Sequence, residues 1–174
     1  LEVVNLARNF SGAVSVMEGL GRGRGQVVGT ASTGLGGASG NAVSFDGALG
    51  RVSLGGCDAL SALTGGFTVS AWVRPSEVTA SVGTVLTAKN NGWAIGFRDG
   101  RFRFDLCGIQ AFETAVPVAA GQWCHVAATF DTNLVVSLYF DGVRVSVQSG
   151  SATFKPGSGG WSVGGAADRD RCFA

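Results

Sequence analysis

Few residues in this chain are spaced for chemistry. Hydrolysis of a glycosidic bond needs two carboxylates converging on that bond, and a β-strand presents both to one side when they are two residues apart. No Glu-x-Asp-x-Glu run occurs, and Glu2, Glu18, Glu77 and Glu113 stand isolated in or beside loops and short strands. His125 is the sole histidine, and a serine such as Ser44 or Ser70 would need it as a base, but no Gly-x-Ser-x-Gly elbow is present. Sugar binding asks for an aromatic face with amides or carboxylates at its edge. Asn90-Asn91-Gly92-Trp93 is the best local match, and Trp161 after a Gly-rich loop is a second candidate. Cys57, Cys107, Cys124 and Cys172 are too scattered, without a Cys-x-x-Cys spacing, to build a zinc site with one histidine.

The elements that would carry these residues read as strands. Phe67, Val69, Ala71 and Val73 alternate with Thr68, Ser70 and Trp72, and Arg74-Pro75 ends the run. Val43 and Phe45, then Val52 and Leu54, flank the turn at residues 46–50. Val85 to Ala88 leads through Asn90-Asn91-Gly92 into Trp93 to Phe97. Asp99-Gly100 is a two-residue hairpin signal, because both positions tolerate positive φ, and Asp141-Gly142 repeats it. Phe102 to Leu106, Phe112 to Val116, Trp123 to Phe130, Leu134 to Phe140, Val143 to Val147 and Trp161 to Val163 complete the series. Short strands at regular spacing predict an all-β, two-sheet antiparallel jelly-roll sandwich. Residues 19–40 are rich in glycine and hydroxyl residues and read as a surface loop region with a short strand at Gln26 to Val28.

Composition narrows the function. The 174 residues suit one domain, and the 13 basic and 12 acidic residues leave a net charge of +1. That balance supplies no basic stripe for nucleic-acid phosphates, and Arg22 and Arg24 without interleaved aromatics are a loop rather than an RNA tail. No apolar run reaches the roughly 18 residues of a membrane span. An even set of four cysteines fits an oxidising, extracellular setting and allows three pairings. Cys107–Cys124 with Cys57–Cys172 is the preferred one, since Cys107 and Cys124 lie near the ends of neighbouring predicted strands. The chain opens at Leu1 without a basic and apolar leader, as a processed or excised domain does.

Several segments, in this order, resemble the laminin-G-like, concanavalin A-like lectin/glucanase superfamily. They are Gly40-Asn41-Ala42-Val43-Ser44-Phe45-Asp46-Gly47, the run from Gly66 to Pro75, Gly92 to Phe97 with Asp99-Gly100-Arg101, Gln122 to Asp131, Leu138 to Val143, and Trp161 to Gly165. The resemblance covers about Gly40 to Ala174 and implies two antiparallel sheets packed face to face, while the length and the lack of a linker read as a single domain over residues 1–174. Within it, residues 1–18 form an N-terminal strand or arm. It also implies that Trp72, Trp93 and Trp123 occupy core or half-buried positions and that His125 is structural. Calcium is the cofactor the resemblance suggests, with Asp46 and Asp168 or Asp170 as candidate ligands. The family's acids after its Phe-Asp-Gly turn are Ala48-Leu49 here, so a turn-forming role for Asp46 competes.

The expected function is a non-catalytic extracellular module recognising carbohydrate or glycoprotein. The family pattern continues with a further strand where this sequence stops at Ala174. A sandwich short of a strand would leave unpaired backbone groups, which Leu1 to Phe10 could fill in its own molecule or in a neighbour, unless the polypeptide continues past Ala174 and supplies the strand itself. The alternative function is accordingly a structural subunit that assembles with other copies of itself by strand exchange.

Overall fold

The computed structural model describes residues 2–5, 15–16, 23–38, 41–47, 50–63, 65–76, 83–152 and 155–165. Leading strands are β1 (Glu2–Asn5), β2 (Ser15–Val16), β3 (Gly23–Arg24), β4 (Gln26–Val28), β5 (Ser32–Gly36), β6 (Asn41–Ser44) and β7 (Arg51–Gly55). One helical turn, α1 (Asp58–Ser61), precedes β8 (Phe67–Val73), β9 (Gly83–Asn90), β10 (Trp93–Arg98), β11 (Arg101–Leu106) and β12 (Gln110–Pro117). Then come β13 (Cys124–Phe130), β14 (Val135–Phe140), β15 (Val143–Ser149) and β16 (Ser158–Val163). No helix among the described residues is long and apolar enough to cross a membrane.

Two sheets make the sandwich. One runs β12-β11-β10-β9-β16-β7-β4 and is antiparallel throughout; the other runs β1-β8-β13-β14-β15. The exception to antiparallel pairing is β1, which lies parallel to β8 of its own chain, Val4 opposite Val69. The small pairs β2-β3 and β5-β6 stand apart. The two-residue turns form where expected: Asp99 and Gly100 take φ 50 and 73, and Asp141 and Gly142 take 47 and 82. Those paired positive angles match the twist of the flanking strands.

The alternation read from the sequence becomes inside and outside. Phe67, Val69, Ala71 and Val73 on β8 and Cys124, Val126, Ala128 and Phe130 on β13 face Trp93, Ile95 and Phe97 on β10 and Phe102, Phe104 and Leu106 on β11 in one core. β16 closes that core by pairing with both β7 and β9. Gly157, just before it, lies where a Cβ would stand 2.6 Å from Cζ2 of Trp161 and 2.9 Å from Cβ of Ala88. Replacing Gly157 by alanine should therefore overpack the core and cost about 1–3 kcal/mol. Chemical denaturation measures it, and an unchanged midpoint would show that Trp161 can move aside.

Candidate functional site

Both tryptophans offered as sugar-site candidates are core residues, as the resemblance implies for Trp93. Trp93 is 0% exposed, with ring centroids 4.9 Å from Phe67 and 4.8 Å from Trp161. Trp161 is 1% exposed, and its indole N–H donates to Ser61 Oγ at 3.1 Å. The reason is parity: Trp93 begins the inward series Trp93, Ile95, Phe97. Asn90 and Asn91 stay exposed at the turn while Trp93 points away from them, so the Asn90-Asn91-Trp93 constellation does not assemble.

The same parity sends other aromatics out. Trp72 lies between inward Ala71 and Val73 and is 45% exposed, the one exposed aromatic side chain among the described residues. His125 is its register partner on β13, and the two rings stand 5.3 Å apart at 57°. One position along, Arg74 follows β8 and sets its guanidinium carbon 5.3 Å from the centroid of half-buried Trp123. Planar cation over ring is the usual geometry of that attraction. The hairpin at Asp141 holds the far side: the His125 amide donates to Asp141 Oδ1 at 2.8 Å, and the Asp141 amide donates back to the His125 carbonyl at 2.8 Å. Half-buried Tyr139 follows, opposite Ala127.

These groups form a platform on the outward face of the β1-β8-β13-β14-β15 sheet. Neighbouring strands are about 4.8 Å apart, so Trp72 on β8 to Tyr139 on β14 spans about 10 Å. The platform offers an aromatic face, a cation, an imidazole and a carboxylate within that width. The placement of Trp72 and Trp123 corrects the core or half-buried assignment only for Trp72. The signal was present in the sequence, because Trp72 shares parity with Thr68 and Ser70.

The outward face of the other sheet is polar. Arg103 on β11 pairs with Glu113 on β12. Its Nε donates to both oxygens of Asp105 at 2.7 Å, its Nη2 lies 2.5 Å from Asp105 Oδ1, and its Nη1 lies 3.4 Å from Glu113 Oε1. Glu113 is thus not isolated. Burial alone would lower the Arg103 pKa, but Asp105 and then Glu113 raise it above the ordinary value, so the guanidinium stays charged. A single cation held between two carboxylates makes this an ion-pair cluster.

Residues 46–174 match the Laminin_G_3 family model, described as the concanavalin A-like lectin/glucanases superfamily. The chain belongs to this superfamily. No curated protein matches this concanavalin A-like domain in sequence. Among solved structures it is similar to domain 4 of a GH43 extracellular arabinanase from Geobacillus stearothermophilus in complex with arabinotriose. That likeness has 21% identity and a TM-score of 0.64, and covers 86% of this chain and 77% of the other. A second is the Ruminococcus gnavus IT-sialidase CBM40 bound to α2,3-sialyllactose, with 15% identity, a TM-score of 0.56 and 68% and 72% covered. A third is the binding domain of botulinum neurotoxin DC in complex with SialylT, with 16% identity and a TM-score of 0.66. There 86% of this chain covers only 40% of the other. At these identities the likeness is one of fold.

Within the concanavalin A-like domain the Cys107–Cys124 bridge is not made. The Cys124 thiol donates instead to the Val73 carbonyl at 3.7 Å, since its strand turns it into the core. Cys57 is a half-buried thiol ahead of α1, and Cys172, its expected partner, lies outside the described residues. Burial, with Asp141 nearby, pushes Cys124 from the ordinary 9.0 up to about 11. The native state thus keeps a proton that the unfolded chain releases near pH 9. Its stability contribution is whole below that pH and falls as pH rises from about 9 to about 11. Labelling at pH 8 should modify Cys57 and spare Cys124; a Cys124 adduct on folded protein would place that thiol outside the core.

Asp46 is a turn residue here. Its Oδ1 accepts from the Gly50 amide at 2.9 Å, and its Oδ2 accepts from the Thr30 hydroxyl. Asp168 and Asp170 lie outside the described residues, and among the described ones no three histidine, cysteine or carboxylate groups come together as metal ligands.

Proposed function

We propose that this domain is a non-catalytic, extracellular glycan-binding module, and that a sugar ring stacks on Trp72. The observation that carries the reading is the exposure of Trp72 beside His125 on a surface otherwise patterned by inward apolar residues. Stacking an apolar sugar face on indole removes both from water, while Arg74, His125 and Asp141 offer hydrogen bonds to hydroxyls at the rim. Support comes from structural neighbours solved with arabinotriose and sialyllactose, and from the extracellular arabinanase that carries one of them. The Arg103 cluster supports the absence of catalysis, because both carboxylates near one another serve one arginine. Strand exchange as an alternative has its donor already engaged, since Glu2–Asn5 pairs with β8 of the same chain.

Screening the purified domain against a broad glycan array, with calcium and with chelator, tests this. Retention on a defined set of glycans is expected, and silence across the array would end the reading. Retention lost on chelation would make calcium part of the binding site, with D168N/D170N then testing those two candidate ligands; retention that survives would leave binding to protein groups alone.

A further inference from the structure

The hairpin of β10 and β11 places two arginines face to face. Arg98 and Arg101 are register partners flanking the Asp99-Gly100 turn, and both are exposed. Their neighbours Phe97 and Phe102 point into the core, so both guanidiniums lie on the outward face of the β12-β11-β10-β9-β16-β7-β4 sheet, the opposite side from Trp72. Directly opposed residues of such a pair have Cα atoms about 5.5 Å apart, where like charges repel. Arg103, two residues along the same face, has both Asp105 and Glu113; Arg98 and Arg101 have no ion pair among the described residues. Asp99 in the turn makes no ion pair with either. Among the described residues, Asp105 and Glu113 are thus engaged by the inner arginine, and the outer two flank the turn with no ion pair of their own.

We propose that Arg98 and Arg101 form an anionic subsite for the carboxylate of an acidic sugar, such as a uronate within a polysaccharide. Two guanidinium forks a strand-width apart can each donate to one carboxylate oxygen or clasp it bidentately. A bound carboxylate also relieves the cross-strand repulsion. The subsite rests on the glycan-binding reading but not on Trp72, which lies on the other sheet.

Isothermal titration with polygalacturonate, its fully methyl-esterified form and a neutral arabinan tests it on wild type, R98Q/R101Q and R98K/R101K. Wild type should prefer the free acid over the ester at least tenfold, and that preference should shrink as salt is raised. R98Q/R101Q should lose the preference with unchanged circular dichroism, while R98K/R101K, which keeps charge without the fork, should retain only part of it. Equal affinity for acid and ester, or a preference that survives in R98Q/R101Q, overturns the subsite and leaves the module reading intact. Binding to none of the three polymers, together with silence on the array, overturns both.

Discussion

Trp161→Ala should cost about 3–5 kcal/mol of folding stability, a large part of the roughly 5–15 kcal/mol that holds a domain of this size. Trp161 is buried beside Trp93, bonds Ser61 of α1, and sits on the strand that joins β7 to β9. Its removal opens a cavity at the junction of three strands and takes away the donor that ties the Ser61 hydroxyl of α1 to β16. Trp161→Phe keeps most of the ring and loses the Ser61 bond, so its cost should be much smaller. Urea or guanidinium unfolding followed by tryptophan fluorescence separates the two variants. A loss below about 1 kcal/mol for the alanine variant would contradict its place in the core.

Trp72→Ala should do the reverse. The side chain covers no core residue and meets His125 across one strand pair, so the expected loss of stability is about 0.5–1 kcal/mol. Glycan affinity should fall roughly 30-fold, about 2 kcal/mol, as for a tryptophan that anchors a contact. Trp72→Phe should recover part of the affinity by keeping a stacking face. The measurement is titration with whichever glycan the array selects, with the unfolding midpoint as the control for folding. Undiminished binding by the alanine variant would move the sugar site off this platform. Paired with Trp161→Ala, the experiment distinguishes two tryptophans that composition cannot tell apart.

Much of the architecture was legible from residue types alone. Asp99-Gly100 and Asp141-Gly142 announced hairpins because few residue pairs accept two positive φ angles in succession. Alternation in Phe67 to Val73 announced a strand with one buried face, and the pairing with β13 follows it residue for residue. That alternation also marked Trp72 as outward, although the family resemblance pointed to the core. Local stereochemistry prevailed, because a side chain one residue out of step with its apolar neighbours cannot reach their side of the sheet. Similar reasoning places Trp93 inward and leaves Asn90 and Asn91 without it.

What the sequence by itself determined was thus most of the strands from Val43 onward, the tight turns and the alternation of faces along each strand, since these depend on backbone sterics over a few residues, whereas β5 (Ser32–Gly36) formed inside a stretch read as loop. Only the tertiary structure decided which strands became neighbours. It brought Trp161 against Trp93 and Ser61, opposed Arg103 to Glu113, turned Cys124 to the Val73 carbonyl rather than to Cys107, and laid β1 along β8. Those contacts join segments separated along the chain by as many as 100 positions, as between Ser61 and Trp161. Their pairing is fixed by the summed burial of whole sheets against each other, a quantity no short stretch of residues carries.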